Sequence, residues 1–541
     1  MDIARAERPT AGDGDAGSSA PRSVAASSAT VAAWTMVSRV TGLARVVVIG
    51  AVLGPTFLAN TFLATNTVPN LTFAAVAGPV LGLVLVPSLV DALLKRGAVA
   101  GRLHMRRMSA LLVAAATGVA ALLMLAAPAL AWVLTLGVPA GQRERAWQVA
   151  LVLLLLMGPQ VVLYTVAALG AAAQQARHRY ALAAGASAVE NVGLMLTMAV
   201  VAVAYGPSDD LGQVSTGLVL VLGLGATLSV ALHAAVQAVG AARVGLPIRP
   251  ARGWRADPEI RRLAGRLRGS VLVTLLPAVG YFALLAVVAT VPGGVVVLTM
   301  AHTVYTVSTA VGARAVTTAV LPGMSAAVSA GDRARYAASW RQALTYAVTA
   351  ALPILCLLVL FAGPVASTLA VGELRDDALI ASLTVCIAIL GVSQLVAGVH
   401  EVGREARFVD LDVRGPQVAG WAALAVTVGG GVLTLLLPAG LPRLAAVCVV
   451  VLLADLVAAA VLVRLVHRAI RPEPVADGRR LAVTALAAAA MLPLLVAGRL
   501  FTAGEGHPVR DVAVLAPFGL LALAAFAATL SSLTGRRRAA A

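Results

Sequence analysis

Two arginines, Arg39 and Arg45, stand inside an apolar run over residues 29–54, reading TVAAWTMVSRVTGLARVVVIGAVLG from Thr30, that is long enough to cross a bilayer. A guanidinium at membrane depth costs about 2.5–3.5 kcal/mol on insertion scales. Two in one span call for an offset, either a water-filled cavity inside a helix bundle or an anionic ligand that arrives there. The planar guanidinium fork suits phosphate oxygens in such a low-dielectric cavity. The competing reading lets both side chains snorkel to opposite membrane faces. Six positions separate them, about 9 Å of helix rise, with apolar chain on either side.

Other polar residues lie within apolar runs. Arg314 sits deep in one, where a functional role outweighs an inter-helix ion pair. Glu190, beside Asn191, would counter an arginine, bind a coupling cation, or lie in water near a helix end. Asp455 reads as a structural partner for a neighbouring polar helix ahead of ion coupling. His302 could titrate near neutrality, although a lone histidine near a helix start is more often a surface residue. His233 and Gln237, one turn apart, read as a polar helix contact. No Ser-His-Asp order, paired carboxylates or metal-spaced His/Cys cluster is visible, so no enzyme and no metal site is expected.

The elements that must position these groups follow from composition. Of 541 residues, 60% are hydrophobic and 12% charged, which places the chain among polytopic membrane proteins. The apolar stretches are continuous and do not alternate, so a β-barrel is excluded. Fifty glycines and only 4% aromatics suit helices that pack closely in lipid. Cys356, Cys386 and Cys448 fall inside apolar spans and read as small core residues. A net charge of +17 would suggest nucleic acid in a soluble protein. Here it is spread over short loops and serves as a topology signal, with no nucleic-acid motif beside it.

About fourteen spans satisfy the ~20-residue criterion. Two of them, 57–93 and 295–328, are overlong and contain Pro or Gly, and are expected to bend or to run past the membrane surface. Arginine-rich connections, the first around Lys95 to Arg107 and the last from Arg464 to Arg480, alternate with poor ones such as GPSDDLGQ and TVPGG. The positive-inside rule then puts both termini in the cytoplasm. Segments about 235 residues apart echo each other: LGLVLVPSL (81–89) with TTAVLPGMS (317–325), LAAPALAWVL (125–134) with FAGPVASTLA (361–370), and Gly158/Gln160 with Gly391/Gln394. Same-order matches predict a duplicated six-helix unit, with the copies parallel and a ligand site between them. The expected organisation is a disordered tail (1–28), an N-lobe (29–240), a basic cytoplasmic linker (241–269), a C-lobe (270–466), two further helices (481–533) and a short tail (534–541).

The pattern SR-x-x-G-x-x-R of Ser38, Arg39, Gly42 and Arg45 resembles MurJ/MviN-type lipid II flippases. So do NTFLATNTVPN (60–70), GPQVVLYTVAALGAAAQQARHRY (158–180) and the VTTAVLPGMS end of the eighth span. That family belongs to the superfamily of MATE exporters and oligosaccharide-lipid flippases. The resemblance implies fourteen helices, two lobes, and transfer of an undecaprenyl-pyrophosphate-linked peptidoglycan precursor between leaflets by alternating access. It makes Arg39, Arg45 and Ser38 headgroup-binding residues, with Arg314 and Asn60 added to that set. Asn60 stands where the family commonly has an acid, and Thr303 where some members have a cavity arginine.

The expectation is therefore a bacterial plasma-membrane flippase for a lipid-linked anionic saccharide, serving cell-wall and peptidoglycan synthesis. It needs no cofactor. A membrane potential could assist, since one charge crossing about 100 mV is worth ~2.3 kcal/mol, and an ion gradient is the other candidate drive. Its partners would be the lipid substrate, the bilayer and cell-wall synthesis proteins, with no nucleic acid. The alternatives are a flippase for another lipid-linked glycan, a MATE-like cation or drug antiporter, and a non-transporting membrane scaffold.

Overall fold

The computed structural model describes residues 20–80, 85–206, 211–502 and 508–535, and those residues form helices and turns without a strand. Long apolar runs fold as helices because a chain in lipid must satisfy its backbone polar groups internally. Ser215, Asp257, Asp332, Asp376 and Asp477 cap helices at the aqueous ends, each accepting from a backbone N–H of the first turn.

The N-terminal lobe contains α1 (Ala20–Leu53), α2 (Phe57–Val80), α3 (Val86–Thr135), α4 (Ala140–Met157), α5 (Gln160–Gln175), α6 (Tyr180–Gly185), α7 (Ser187–Ala204) and α8 (Thr216–Arg243). The C-terminal lobe contains α9 (Pro258–Val288), α10 (Gly294–Thr309), α11 (Ala315–Ser329), α12 (Arg333–Leu360), α13 (Ala362–Leu369), α14 (Asp377–Val409), α15 (Arg414–Thr434) and α16 (Leu441–Ile470). Then follow α17 (Gly478–Ala489), α18 (Leu492–Phe501) and α19 (Pro508–Gly535).

Among the described residues, thirteen helical segments are long and apolar enough to cross a membrane. Helix α2 has the length, 24 residues, but carries three asparagines and four threonines. It leaves the three-residue turn after α1 and runs back toward α3, so connectivity makes it a further crossing. The chain is a multi-pass membrane protein.

The overlong run 295–328 does bend, and the run 57–93 leads into a fold-back just beyond its end. Gly97, at φ 82°, breaks the helical path inside α3, and a π-turn at residues 310–314 separates α10 from α11. The break at Gly97 falls inside the basic stretch from Lys95 to Arg107, where the arginine pattern places a connection, and the chain folds back there: Ser88 Oγ lies 2.6 Å from His104 Nε2. Helix α1 begins at Ala20, within the segment expected to be a disordered tail; residues 1–19 lie outside the described residues.

The duplication is visible in which helices touch. In the N-lobe α1 packs on α7, α7 on α8, α8 on α5, and α5 on α3. In the C-lobe α9 packs on α15, α15 on α16, α16 on α14, and α14 on α12. The two sets are the same circuit read 234 positions apart. Gln160 and Gln394 hold that offset, and so do Arg107 and Arg341. Arg107 bonds Asp257 in the connector after α8 at 2.6 Å, and Arg341 bonds Glu473 in the connector after α16 at 3.0 Å.

The lobes are joined at one end. A single apolar core takes in Ile49, Leu58 and Phe62 of the N-lobe with Leu285, Val296 and Leu383 of the C-lobe. Gly50 permits this approach: a Cβ there would lie 2.6 Å from Leu374. At the other end each lobe keeps its own core, around Leu89, Met105 and Leu169 in one and Met324, Trp340 and Val466 in the other. The basic connections lie at this divided end.

Candidate functional site

Helix α1 meets α7 along one stripe. Ser38, Thr41, Gly42 and Arg45 recur at helical spacing on α1, as Ser187, Glu190 and Asn191 do on α7. The Ser38 and Ser187 hydroxyls bond each other. The Asn191 amide donates to Thr41 Oγ1 at 3.0 Å and to the Ser38 carbonyl at 3.2 Å. Gly42 lies against the same amide, where a Cβ would meet Asn191 Nδ2 at 3.6 Å, an ordinary van der Waals contact. At the top of the stripe Arg45 Nη1 faces Glu190 Oε1 at 3.4 Å.

Two more helices converge on Glu190. The Tyr164 hydroxyl of α5 donates to Oε1 at 2.9 Å, and His233 Nδ1 of α8 lies 3.0 Å from Oε2. The carboxylate is 10% exposed and the Arg45 side chain 26%, so the acid is enclosed while the guanidinium keeps an accessible edge. Unit charges about 4 Å apart attract by about 4 kcal/mol at the effective dielectric of a protein surface. That is of the order of the ~2.5–3.5 kcal/mol needed to place an arginine at membrane depth. Arg45 Nε is buried without a hydrogen-bond partner, so the pairing leaves donor capacity unused.

Arg39 is half-buried and stands about a third of a turn from the face that carries Arg45. The structure therefore brings Ser38, Arg45 and Glu190 onto one helix interface and puts Arg39 on its flank. The side chain of Arg314 lies outside the described residues; its backbone closes the π-turn.

Asn60 belongs to the joined end. Its amide donates to Ala289 O at 3.3 Å and Val291 O at 2.6 Å, and its Oδ1 accepts from Val295 N at 3.0 Å. It is 2% exposed, with every side-chain polar atom committed to the turn between α9 and α10. In this conformation it fastens the N-lobe to the C-lobe and is not among the residues gathered at Arg45.

In the C-lobe, Asp455 Oδ2 accepts from the Tyr305 hydroxyl at 2.9 Å and from Ser393 Oγ at 2.7 Å. His302 is no surface residue. Its ring lies between Tyr281 and Tyr305, with centroids 4.5 and 5.3 Å away. His233 and Gln237 do not bond each other: Gln237 Oε1 accepts from Gln174 Nε2 at 2.6 Å while His233 serves Glu190. All three cysteines are buried and unbridged. Among the described residues no group of three His, Cys, Asp or Glu could hold a metal ion.

Sequence reasoning missed Tyr164 and the role of His233. Both are single polar residues in apolar helices far apart in the chain, and neither carries a periodic signal. The matched 3–4 spacing of Ser38/Thr41/Arg45 and Ser187/Glu190/Asn191 was the available clue to the helix pair.

A sequence model of the family described as "Lipid II flippase MurJ" matches residues 49–504. The match begins after Arg39 and Arg45, so the two arginines rest on their own geometry. Among solved structures, the chain is similar to a lipid II flippase MurJ in an inward closed conformation, with TM-score 0.69 and 13% identity over 93% of this chain and 98% of that one. It is also similar to an inward-facing multidrug resistance MATE family transporter, with TM-score 0.60 and 14% identity over 82% and 99%. A MOP superfamily transporter from Pyrococcus furiosus aligns with TM-score 0.53 and 14% identity over 83% and 95%. At such identities the structural likeness speaks to the fold.

Proposed function

The chain belongs to the lipid II flippase MurJ family, and we propose that it moves an undecaprenyl-pyrophosphate-linked peptidoglycan precursor across the bacterial plasma membrane, with Arg45 and Arg39 receiving the anionic headgroup. The observation that carries this reading is Arg45 itself. It is a guanidinium at span depth, paired by one long contact, accessible along one edge and holding an unused buried donor. A pyrophosphate offers the bidentate acceptor geometry that such a group lacks here.

The division of the core supports alternating access. The joined end is poor in arginine and the divided end bears the basic connections. By the positive-inside rule the joined end faces outward, both termini are cytoplasmic, and the headgroup enters from the cytoplasmic leaflet. Rocking of the lobes would then part the contacts of Gly50 and Asn60 and close the basic end. The few acids facing Arg45 speak against a cation exporter, which needs carboxylates to hold its cargo.

The test is replacement of the endogenous flippase in a depleted strain. Arg45→Ala and Arg39→Ala should reach the membrane at parental level and fail to restore growth. Full rescue by both overturns the assignment. Accumulation of lipid II in the cytoplasmic leaflet on depletion would fix the substrate, and accumulation of a different lipid-linked glycan would replace it.

A further inference from the structure

Arg45 is held loosely, whereas Glu190 is held well. The guanidinium gives Glu190 one contact at 3.4 Å and keeps its buried Nε unpaired. Other arginine–carboxylate contacts in the chain close to 2.6 Å (Arg107–Asp257), 2.7 Å (Arg404–Glu401) and 2.8 Å (Arg96–Glu259). Glu190 has two shorter contacts that do not involve Arg45, one on each oxygen: Tyr164 on Oε1 and His233 on Oε2. If Arg45 turns away, neither carboxylate oxygen is stranded. An acid placed only to neutralise a buried arginine needs no such second set of partners.

Resting on the headgroup reading above, we infer that Glu190 is a built-in rival of the substrate's phosphates for Arg45. In the empty carrier the carboxylate occupies the guanidinium in place of a phosphate charge. When a pyrophosphate enters, Arg45 turns to it, because a phosphate presents several oxygens to the fork where Glu190 offers one distant oxygen. Tyr164 and His233 hold the carboxylate meanwhile. After release, Glu190 recaptures Arg45, so the empty site returns without an uncompensated cation. The groups facing Glu190 come from three helices: Arg45 from α1, Tyr164 from α5 and His233 from α8. Its neighbour on α7, Asn191, is occupied with Ser38 and Thr41. Glu190 therefore acts as a positioning residue that sets affinity and release.

The inference predicts changes of opposite sign at neighbouring residues. Farnesyl pyrophosphate serves as the binding probe, with farnesol as the tail-only control, on full-length protein in nanodiscs. Growth rescue reads out transport. Glu190→Gln removes the rival charge, and should bind the probe roughly tenfold more tightly, within the ~5–150-fold range of site couplings, while rescuing growth less well. His233→Asn and Tyr164→Phe loosen the carboxylate and let it close on Arg45, so both should bind the probe more weakly, by roughly fivefold. A purely structural network would instead weaken binding in all three variants. Unchanged or weaker binding in E190Q, with binding lost in R45A, overturns the inference and spares the headgroup reading. Parental binding in R45A overturns both. Should E190Q fail to reach the membrane, unchanged or tighter binding in both H233N and Y164F overturns the inference.

Discussion

The two lobes repeat one helix circuit, yet they treat a carboxylate in opposite ways. In the N-lobe Glu190 faces a cation, a phenol and an imidazole. In the C-lobe Asp455 has a phenol and a hydroxyl, and among the described residues no arginine or lysine pairs with it. The framework around them is copied more faithfully. Gln160 and Gln394 are both fully buried, each spending its amide N–H on a neighbouring helix and leaving Oε1 unpaired. Arg107 and Arg341 both strap the connector that follows their own lobe. A duplicated scaffold keeps its packing and its straps because every crossing depends on them. Its polar interior can diverge, because each lobe has to satisfy only its own buried groups.

The largest expected effect separates the two acids' surroundings. Arg45→Ala should abolish growth rescue, whereas Asp455→Asn, which keeps both hydroxyl partners, should retain most of it. Equal loss in both would make the C-lobe acid as much a part of the transport path as the N-lobe arginine. Next come the straps. Arg107→Ala and Arg341→Ala should each lower stability by about 0.5–1 kcal/mol, the scale of partly exposed ion pairs, read as similar falls in thermal midpoint. A much larger fall in one would show that the repeat has shifted its load to that lobe.

Acid should act on both lobes through their connectors. Burial opposes the charge on Asp257, but the Arg107 bond and the N–H groups of Glu259 and Ile260 outweigh it and hold the carboxyl below its ordinary range. Burial likewise opposes Asp412, and the Gly415 N–H and Arg407 outweigh it there. A lowered folded value means the stabilisation is complete above the unfolded pKa, about 3.9, and is lost as pH falls through the folded value. Thermal midpoints of Asp257→Asn and Asp412→Asn should therefore fall less steeply than the parent's between about pH 5 and 3. The smallest effect belongs to the glutamines. Gln160→Leu and Gln394→Leu each remove one buried hydrogen bond and one unpaired acceptor, so each should stay within about 1 kcal/mol of the parent.

Much of the architecture could be read in the chain. Continuous apolar runs gave the helical class, and the echoes between residues 81–160 and 317–394 gave the duplication, because both depend on patterns local to each helix. Helix limits were less accessible. The Lys95–Arg107 stretch reads as one long connection, but the chain reverses at the single residue Gly97 and the arginines beside it lie on the flanking helices, which carry them as readily as a loop does. In the candidate site, Arg45 and Glu190 announced themselves by the cost of burying charge. Tyr164 and His233 did not, because a lone phenol or imidazole in an apolar helix is affordable and marks no partner. Asn60 was hard to place for a related reason: its type and position in the span fit a ligand, and only the fold shows the α9–α10 turn that holds it in this conformation.

Helix α9 has a divided allegiance. Ile260 and Leu263 near its start are buried in the N-lobe's own core, where Glu259 also binds Arg96. Farther along, Leu276, Gly280 and Gly431 bring it into close contact with α15 of the C-lobe. One continuous rod is thus clamped at each end by a different body. The bodies cannot tilt against each other while that rod stays straight, so any tilt has to be taken up between its clamps. Pro277 sits where the C-lobe clamp begins, beside Leu276, with no N–H to complete the helical ladder. Stiffness at that single turn would govern how readily the whole transporter changes shape.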